Sequence, residues 1–131
     1  MISTAIYTML YADSKVKGKV STRIYPNRAV QDAAMPYLVY SQVTKLPADS
    51  KDSGTGFDKY RIQVDVVDDS YTACELLAYD VRAAMDRVTG TFDTLIVLQT
   101  VYVDENESPQ LDDEGSTKVY MRSVDFMIIA K

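Results

Sequence analysis

Tyr60-Arg61-Ile62-Gln63-Val64-Asp65-Val66 and the segment that follows it, with Cys74, Leu77, Ala78, Val81, Ala84, Met85 and Val88 as its apolar positions, decide the fold. In the first stretch Tyr60, Ile62, Val64 and Val66 alternate with Arg61, Gln63 and Asp65. A period of two marks a half-buried strand. In the second the apolar positions recur every three or four residues, the period of an amphipathic helix. Between them, Asp68-Asp69-Ser70 offers side-chain oxygens for an N-cap, and Thr72-x-x-Glu75 has the form of a capping box. Gly90 stands where a helix is closed from beyond its C-terminus. The spacing therefore predicts a strand over 60–66 and a helix over 70–88. The helix's other face carries Glu75, Asp80, Arg82, Asp86 and Arg87.

Working outward, residues 36–43 are rich in β-branched and aromatic side chains and read as a strand. The 39–43 and 60–66 runs are expected to pair as an antiparallel hairpin. The loop between them, 45–56, holds Pro47, Asp49, Ser50, Asp52, Ser53, Gly54 and Gly56. Upstream, Ile2, Ile6, Met9 and Leu10 fall on one helical face, predicting a helix over 2–12 that ends near Asp13, with Gly18 in the following loop. Residues 15–28 carry Lys15, Lys17, Lys19, Arg23 and Arg28 without an acid, and Arg23-Ile24-Tyr25-Pro26 reads as a short strand stopped by proline. Downstream, 95–103 and 119–129 are β-rich. The acidic segment 104–115 between them reads as a mobile hairpin loop. The order is α-β-β-β-α-β-β. Its connections are too short for crossovers, which predicts a mainly antiparallel sheet of about four to five strands with two helices on one face, an α+β fold.

The chain has 131 residues, the length of one domain, and residues 1–131 are read as a single unit. Such a length buries roughly two-thirds of the surface of the unfolded chain, enough for a core without disulfide or metal. With 14 basic and 19 acidic side chains the net charge is −5, against a broad nucleic-acid grip. The single cysteine excludes an internal disulfide and fits a reducing compartment. The first ten residues lack the basic start of a signal peptide, and no apolar run approaches the roughly 20 residues that span a bilayer.

Chemistry is hard to find. There is no histidine, which removes Ser-His-Asp and Cys-His pairs and histidine-containing zinc sites. Cys74 lies on the apolar helix face, where packing explains it. Ser14-Lys15-Val16-Lys17 has the S-x-x-K form but lacks its companion elements. Gly54-Thr55-Gly56 precedes a strand rather than a helix and reads as a hairpin tip. Asp104-x-Asn106-x-Ser108 begins like a calcium loop, yet Pro109 and Gly115 stand where glycine and glutamate are required. No cofactor or metal is implied. The basic 15–28 segment lacks the aromatic platform of single-strand binders and fits a solvated loop or an acidic protein surface better. Ten tyrosines against three phenylalanines and no tryptophan point mildly to protein contacts.

Arg23-Ile24-Tyr25-Pro26, Met35-Pro36-Tyr37-Leu38-Val39-Tyr40, Arg61 to Val66, the helix from Tyr71 through Met85 and Arg122-Ser123-Val124-Asp125-Phe126 follow one another across nearly the whole chain. In this order they resemble the tail completion, or tail-to-head joining, proteins of long-tailed phages. The resemblance implies a tail terminator-like α+β fold and no catalytic residues. It implies a homo-oligomeric ring, typically of six subunits and formed in some cases only on assembly. The ring would cap the tail tube and meet head–tail connector proteins. DNA would pass through it without specific binding, with no membrane involved. The protein would be made in the host bacterial cytoplasm and end in the virion. The alternative is a small cytoplasmic protein-binding or regulatory module on the same frame. A ring needs two different surfaces meeting head to tail. Glu75, Arg82, Asp86 and Arg87 are the candidate subunit interface. Asp104, Glu105, Glu107, Asp112, Asp113 and Glu114, with no base among them, are the candidate wall of a lumen or an end face that repels DNA.

Overall fold

The computed structural model describes residues 1–48, 54, 56–108, 111–113 and 117–131, and for 111–113 and 117–118 only the backbone. Three helices, α1 (Ile2–Ala12), α2 (Ser14–Val20) and α3 (Tyr71–Met85), pack on one another beside a curled mixed sheet. The strands are β1 (Ile24–Pro26), β2 (Tyr37–Pro47), β3 (Asp58–Asp68), β4 (Gly90–Phe92), β5 (Leu95–Glu107), β6 (Leu111–Asp113) and β7 (Thr117–Ala130). Their order is β1-β2-β3-β7-β5-β4, with β6 paired to β7. Among the described residues only β1–β2 is parallel; the other pairings are antiparallel, including the β2–β3 hairpin.

The period of two in β3 is realised in full. Tyr60, Ile62, Val64 and Val66 are buried, and Arg61, Gln63 and Asp65 face the other side. β7 lies beside it with Val64 opposite Val124 and Ile62 opposite Phe126. The apolar side of this pair receives Cys74, Leu77, Ala78, Val81 and Met85 from α3. Ala5, Ile6, Met9 and Leu10 of α1 and Val16 and Val20 of α2 complete one continuous core. Burying each Leu, Ile, Val or Met side chain contributes about 1.5–3 kcal/mol, so this layer dominates the stability of the fold.

Several expectations change. The basic 15–28 segment is not all loop, because 14–20 forms α2. Asp13 caps it, accepting the N–H groups of Lys15 and Val16 at 3.0 Å each. Val16 and Val20, four apart, anchor it in the core. There are thus three helices rather than two, and more strands than five. The N-cap of α3 is Ser70, whose Oγ accepts the Ala73 N–H at 3.4 Å, so Thr72 and Glu75 make no capping box there. The helix stops at Met85, short of Val88. Asp86 is extended and Arg87 takes the left-handed conformation (φ 62°) that had been assigned to a glycine.

Strand β2 runs on to Pro47 and β5 to Glu107, well into the stretches read as loops. Cross-strand pairing to β3 and β7 stabilises these polar extensions, a term that local periodicity does not carry. Asp49, Ser50, Asp52, Ser53, Thr55, Pro109 and the 114–116 stretch, with Glu114 and Gly115, lie outside the described residues.

Candidate functional site

The helical period that buries one face of α3 necessarily turns another to solvent. Thr72, Glu75, Leu76, Tyr79, Arg82 and Ala83 lie on that outer face and are all exposed. Leu76 is 55% and Tyr79 67% exposed. Large apolar side chains at this exposure, side by side on one helix, cost free energy in water. Beside them runs a groove of about 490 Å³ lined by Glu75, Leu76, Tyr79, Arg82, Tyr102, Glu105 and Arg122. The Arg82 guanidinium lies 3.8 Å from the centre of the Tyr102 ring, a cation–π contact that holds the arginine over the groove wall.

The groove floor is fixed by charge. Arg122 of β7 donates through Nη1 to Glu105 Oε2 of β5 at 2.6 Å, and its Nη2 lies 3.9 Å from Glu75 of α3. Burial lowers the Arg122 pKa, but the bonds to Glu105 and Tyr71 outweigh it and the net direction is up. Glu107 raises the pKa of the Tyr71 hydroxyl by hydrogen bonding, against a smaller opposing effect of Arg122. One arginine therefore ties α3, β5 and β7 together under the exposed stripe.

The four residues proposed from sequence as the interface divide in this geometry. Glu75 and Arg82 belong to the stripe. Asp86 and Arg87 follow the helix and turn back onto β5. Asp86 Oδ1 accepts the Tyr102 N–H at 2.9 Å, and the Arg87 N–H donates to the Thr100 carbonyl at 2.7 Å. Asp80, placed by sequence on the outer face, is buried and paired with Lys19 of α2 at 2.7 Å. Leu76 and Tyr79 were the members that sequence reasoning missed. Their signal was a second apolar pair inside a face otherwise read as charged.

The acidic segment is likewise divided. Asp104, Glu105 and Glu107 belong to β5. Glu105 is committed to Arg122, and Asp104 lies 4.0 Å from Arg61 of β3. The segment was expected to be a mobile hairpin loop, and its first part, Asp104 to Glu107, is strand instead. The bases come from neighbouring strands, not from within the segment. The pairing register also sets Asp112 of β6 opposite Lys118, and Asp113 opposite Thr117.

The rest of the chemistry is sparse. The Cys74 thiol is buried, donates towards the Val66 carbonyl at 3.4 Å and is pushed up to about 11, first by burial and then by the nearby Asp68 charge. No group of three or more His, Cys, Asp or Glu suited to a metal ion occurs among the described residues. No helix among the described residues is long and apolar enough to cross a membrane.

The family model for tail completion protein gp17 matches residues 4–131. The chain belongs to the tail completion protein gp17 family. It is therefore a structural component of a phage-type tail, and the resemblance of the β2, β3, α3 and β7 motifs holds over the whole chain. Its fold is similar to that of a chain in the virion of a native gene transfer agent particle, with a TM-score of 0.68 at 17% identity over 96% of this chain and 90% of that one. A second solved chain gives a TM-score of 0.61 at 15% identity, over 99% of this chain and 93% of its own. Curated protein sequences give no match.

Proposed function

We propose that the protein assembles into a ring, of six subunits in the expected form, that closes the tail tube and presents the surface to which the head is joined. The stripe of Leu76, Tyr79 and Arg82 above the β5 groove carries the reading, because it sets two large, mostly exposed side chains, Leu76 and Tyr79, next to a cation on one helix face. A closed rotational ring needs a second, different surface on each subunit. The sheet supplies one, since the helices pack on only one side of it. The tube protein and the head–tail connector are the partners at the two ends of the ring. DNA passes through its lumen without specific binding. The work is done by assembly, without catalysis. The protein is made in the bacterial cytoplasm and leaves it in the virion.

The acidic residues keep a narrower place in this reading. Asp112, Asp113 and Glu114 stay candidates for a lumen or end face by their charge alone, while Glu105 pairs with Arg122. A negative wall discourages DNA, itself a dense polyanion, from adhering.

The test is replacement of the wild-type gene by Leu76→Asp/Tyr79→Asp in infected cells. Both side chains are exposed, so the thermal midpoint should stay near that of the wild type. Tails should lack the terminal ring and fail to join heads. Normal ring-bearing particles from this variant would remove α3 from the assembly. A wild-type protein absent from purified tails, and monomeric throughout, would favour the alternative of a soluble binding module.

A further inference from the structure

The side of the sheet away from the helices has a polar centre and apolar ends. Strand register places Arg61, Gln63 and Asp65 of β3 there, opposite Met127, Asp125 and Ser123 of β7. Ser123 Oγ donates to Asp65 Oδ1 at 2.6 Å, and Gln63 Nε2 donates to the same oxygen at 2.9 Å. Arg61 Nη2 reaches Asp125 Oδ2 at 2.9 Å. Asp125 is only 8% exposed, and its Oδ1 is buried with no hydrogen-bond partner.

Beside Asp125 lies a trough of about 380 Å³, walled by Val43, Leu46 and Met127 with Arg61 and Gln63. Val43 sits at a bulge in β2 and is 51% exposed, and Leu46 is 57% exposed. The face sets two carboxylates, Asp104 and Asp125, against one guanidinium, Arg61, with Lys59 near the rim, while Asp65 is held separately by Gln63 and Ser123. On the opposite side of the molecule, the α3 stripe offers what this face lacks. It has two large apolar bodies, Leu76 and Tyr79, one hydroxyl donor, and one cation, Arg82, which lies over the Tyr102 ring and has no ion pair among the described residues, with Glu75 on the same wall.

We propose that the α3 stripe of one copy seats in this trough on the next copy, with Tyr79 laid against Val43 and Leu46 and Arg82 directed at Asp104. The proposal rests on the ring reading and names the two halves of its joint. Unlike surfaces on opposite sides of one sheet give the head-to-tail contact that a ring repeats. The joint would cover exposed apolar side chains on both copies, Leu76 and Tyr79 on one and Val43 and Leu46 on the other, and would bring Arg82 to the half-exposed Asp104.

The experiment uses tails purified from cells in which Tyr79→Cys/Val43→Cys replaces the wild type. The native Cys74 is buried and does not compete. Mild oxidation should give a ladder of linked copies on a denaturing gel, and neither single variant should give one. Rings visible on the tails, with no ladder here and none with Tyr79→Cys/Leu46→Cys, would overturn the seating while leaving the ring intact. Tails without a ring of this protein would overturn the ring reading itself. Charge exchange gives an independent readout. Arg82→Glu should abolish ring closure on tails, and adding Asp104→Arg should restore it. Failure of restoration, in a protein that still folds, counts against the pairing.

Discussion

Replacing Arg122 by alanine tests whether the floor of the groove is held by charge. Its guanidinium meets Glu105 at 2.6 Å and Glu75 at 3.9 Å, and lies 5.7 Å from the Tyr71 ring. The side chains of Arg122 and Glu105 are 16% and 21% exposed. An exposed ion pair is worth about 0–1 kcal/mol. Removing one partner of a fully buried pair costs about 3–5 kcal/mol, because the other charge is stranded. This pair is largely but not wholly shielded, so Arg122→Ala should cost about 2–3 kcal/mol. In a chain of this size each kcal/mol lowers the midpoint by roughly 3–5 °C, giving a fall of about 6–15 °C.

Urea titration and thermal unfolding of the purified protein measure both quantities. Glu105→Ala/Arg122→Ala completes a double-mutant cycle, and its coupling energy should be favourable by about 1–2 kcal/mol. Arg122→Lys should recover little, since a point charge on a flexible stem does not reproduce the fork that spans Glu105 and Glu75. A single variant within about 0.5 kcal/mol of wild type, the range of ordinary surface substitutions, would refute the claim that this arginine ties α3, β5 and β7.

Cys74 should resist alkylation at pH 8 in the folded protein and react readily once denatured, and Cys74→Ser should still complete tails, because the site is packing. Its pKa in the fold, about 11, is above the ordinary thiol value, so its contribution to stability is full below about pH 9 and is lost as pH rises through about 11; a urea midpoint that stays level across this window counts against it. Asp80→Asn should lower stability by about 1 kcal/mol, since the carboxylate is shielded but its partner Lys19 is 42% exposed and screened. The urea midpoint should fall with an unchanged slope, and an unshifted midpoint would make the α2–α3 pair ornamental.

Most of the frame was legible in the sequence because its signals are local. The alternation through Tyr60–Val66 and the three-four spacing from Cys74 to Met85 each arise within one element, and the apolar side that each declares is the side it buries. The extensions of β2 and β5 were not legible. Their polar residues gain their strand conformation from partners some 20 residues away in sequence, as Glu105 does from Val124 and Arg122. The α2 helix was obscured by its lysines, although Asp13 with Val16 and Val20 held the signal. Glu75 and Arg82 were picked out by their charge, and both do lie on the exposed face of α3. Leu76 and Tyr79 were passed over, because the outer face of the helix was read from its charges alone. The buried Asp80 is the same error with the sign reversed.

The edges of the sheet say how such a subunit avoids the wrong assembly. An unpaired strand edge is a template for another chain. Strand β4 covers only Leu95–Val97 of β5, so the backbone beyond it would be open. Asp86 and Arg87 close it, one accepting from the Tyr102 N–H and the other donating to the Thr100 carbonyl. At the other edge β1 covers Leu38–Tyr40, and the free part of β2 carries a bulge between Gln42 and Thr44, then Lys45 and Pro47, all of which discourage pairing. With both edges guarded, side-chain surfaces are left to make the contacts between copies. Asp86→Ala should therefore do two things. It should cost about 1–2 kcal/mol for the lost charge-assisted bond at a water-accessible edge, and it should raise light scattering with protein concentration as β5 edges meet. Asp86→Asn keeps the Oδ1 acceptor and should keep the protein dispersed. If the alanine variant proves as stable and as monodisperse as the wild type, the edge is not guarded by Asp86, and strand pairing between copies returns as a route to the ring.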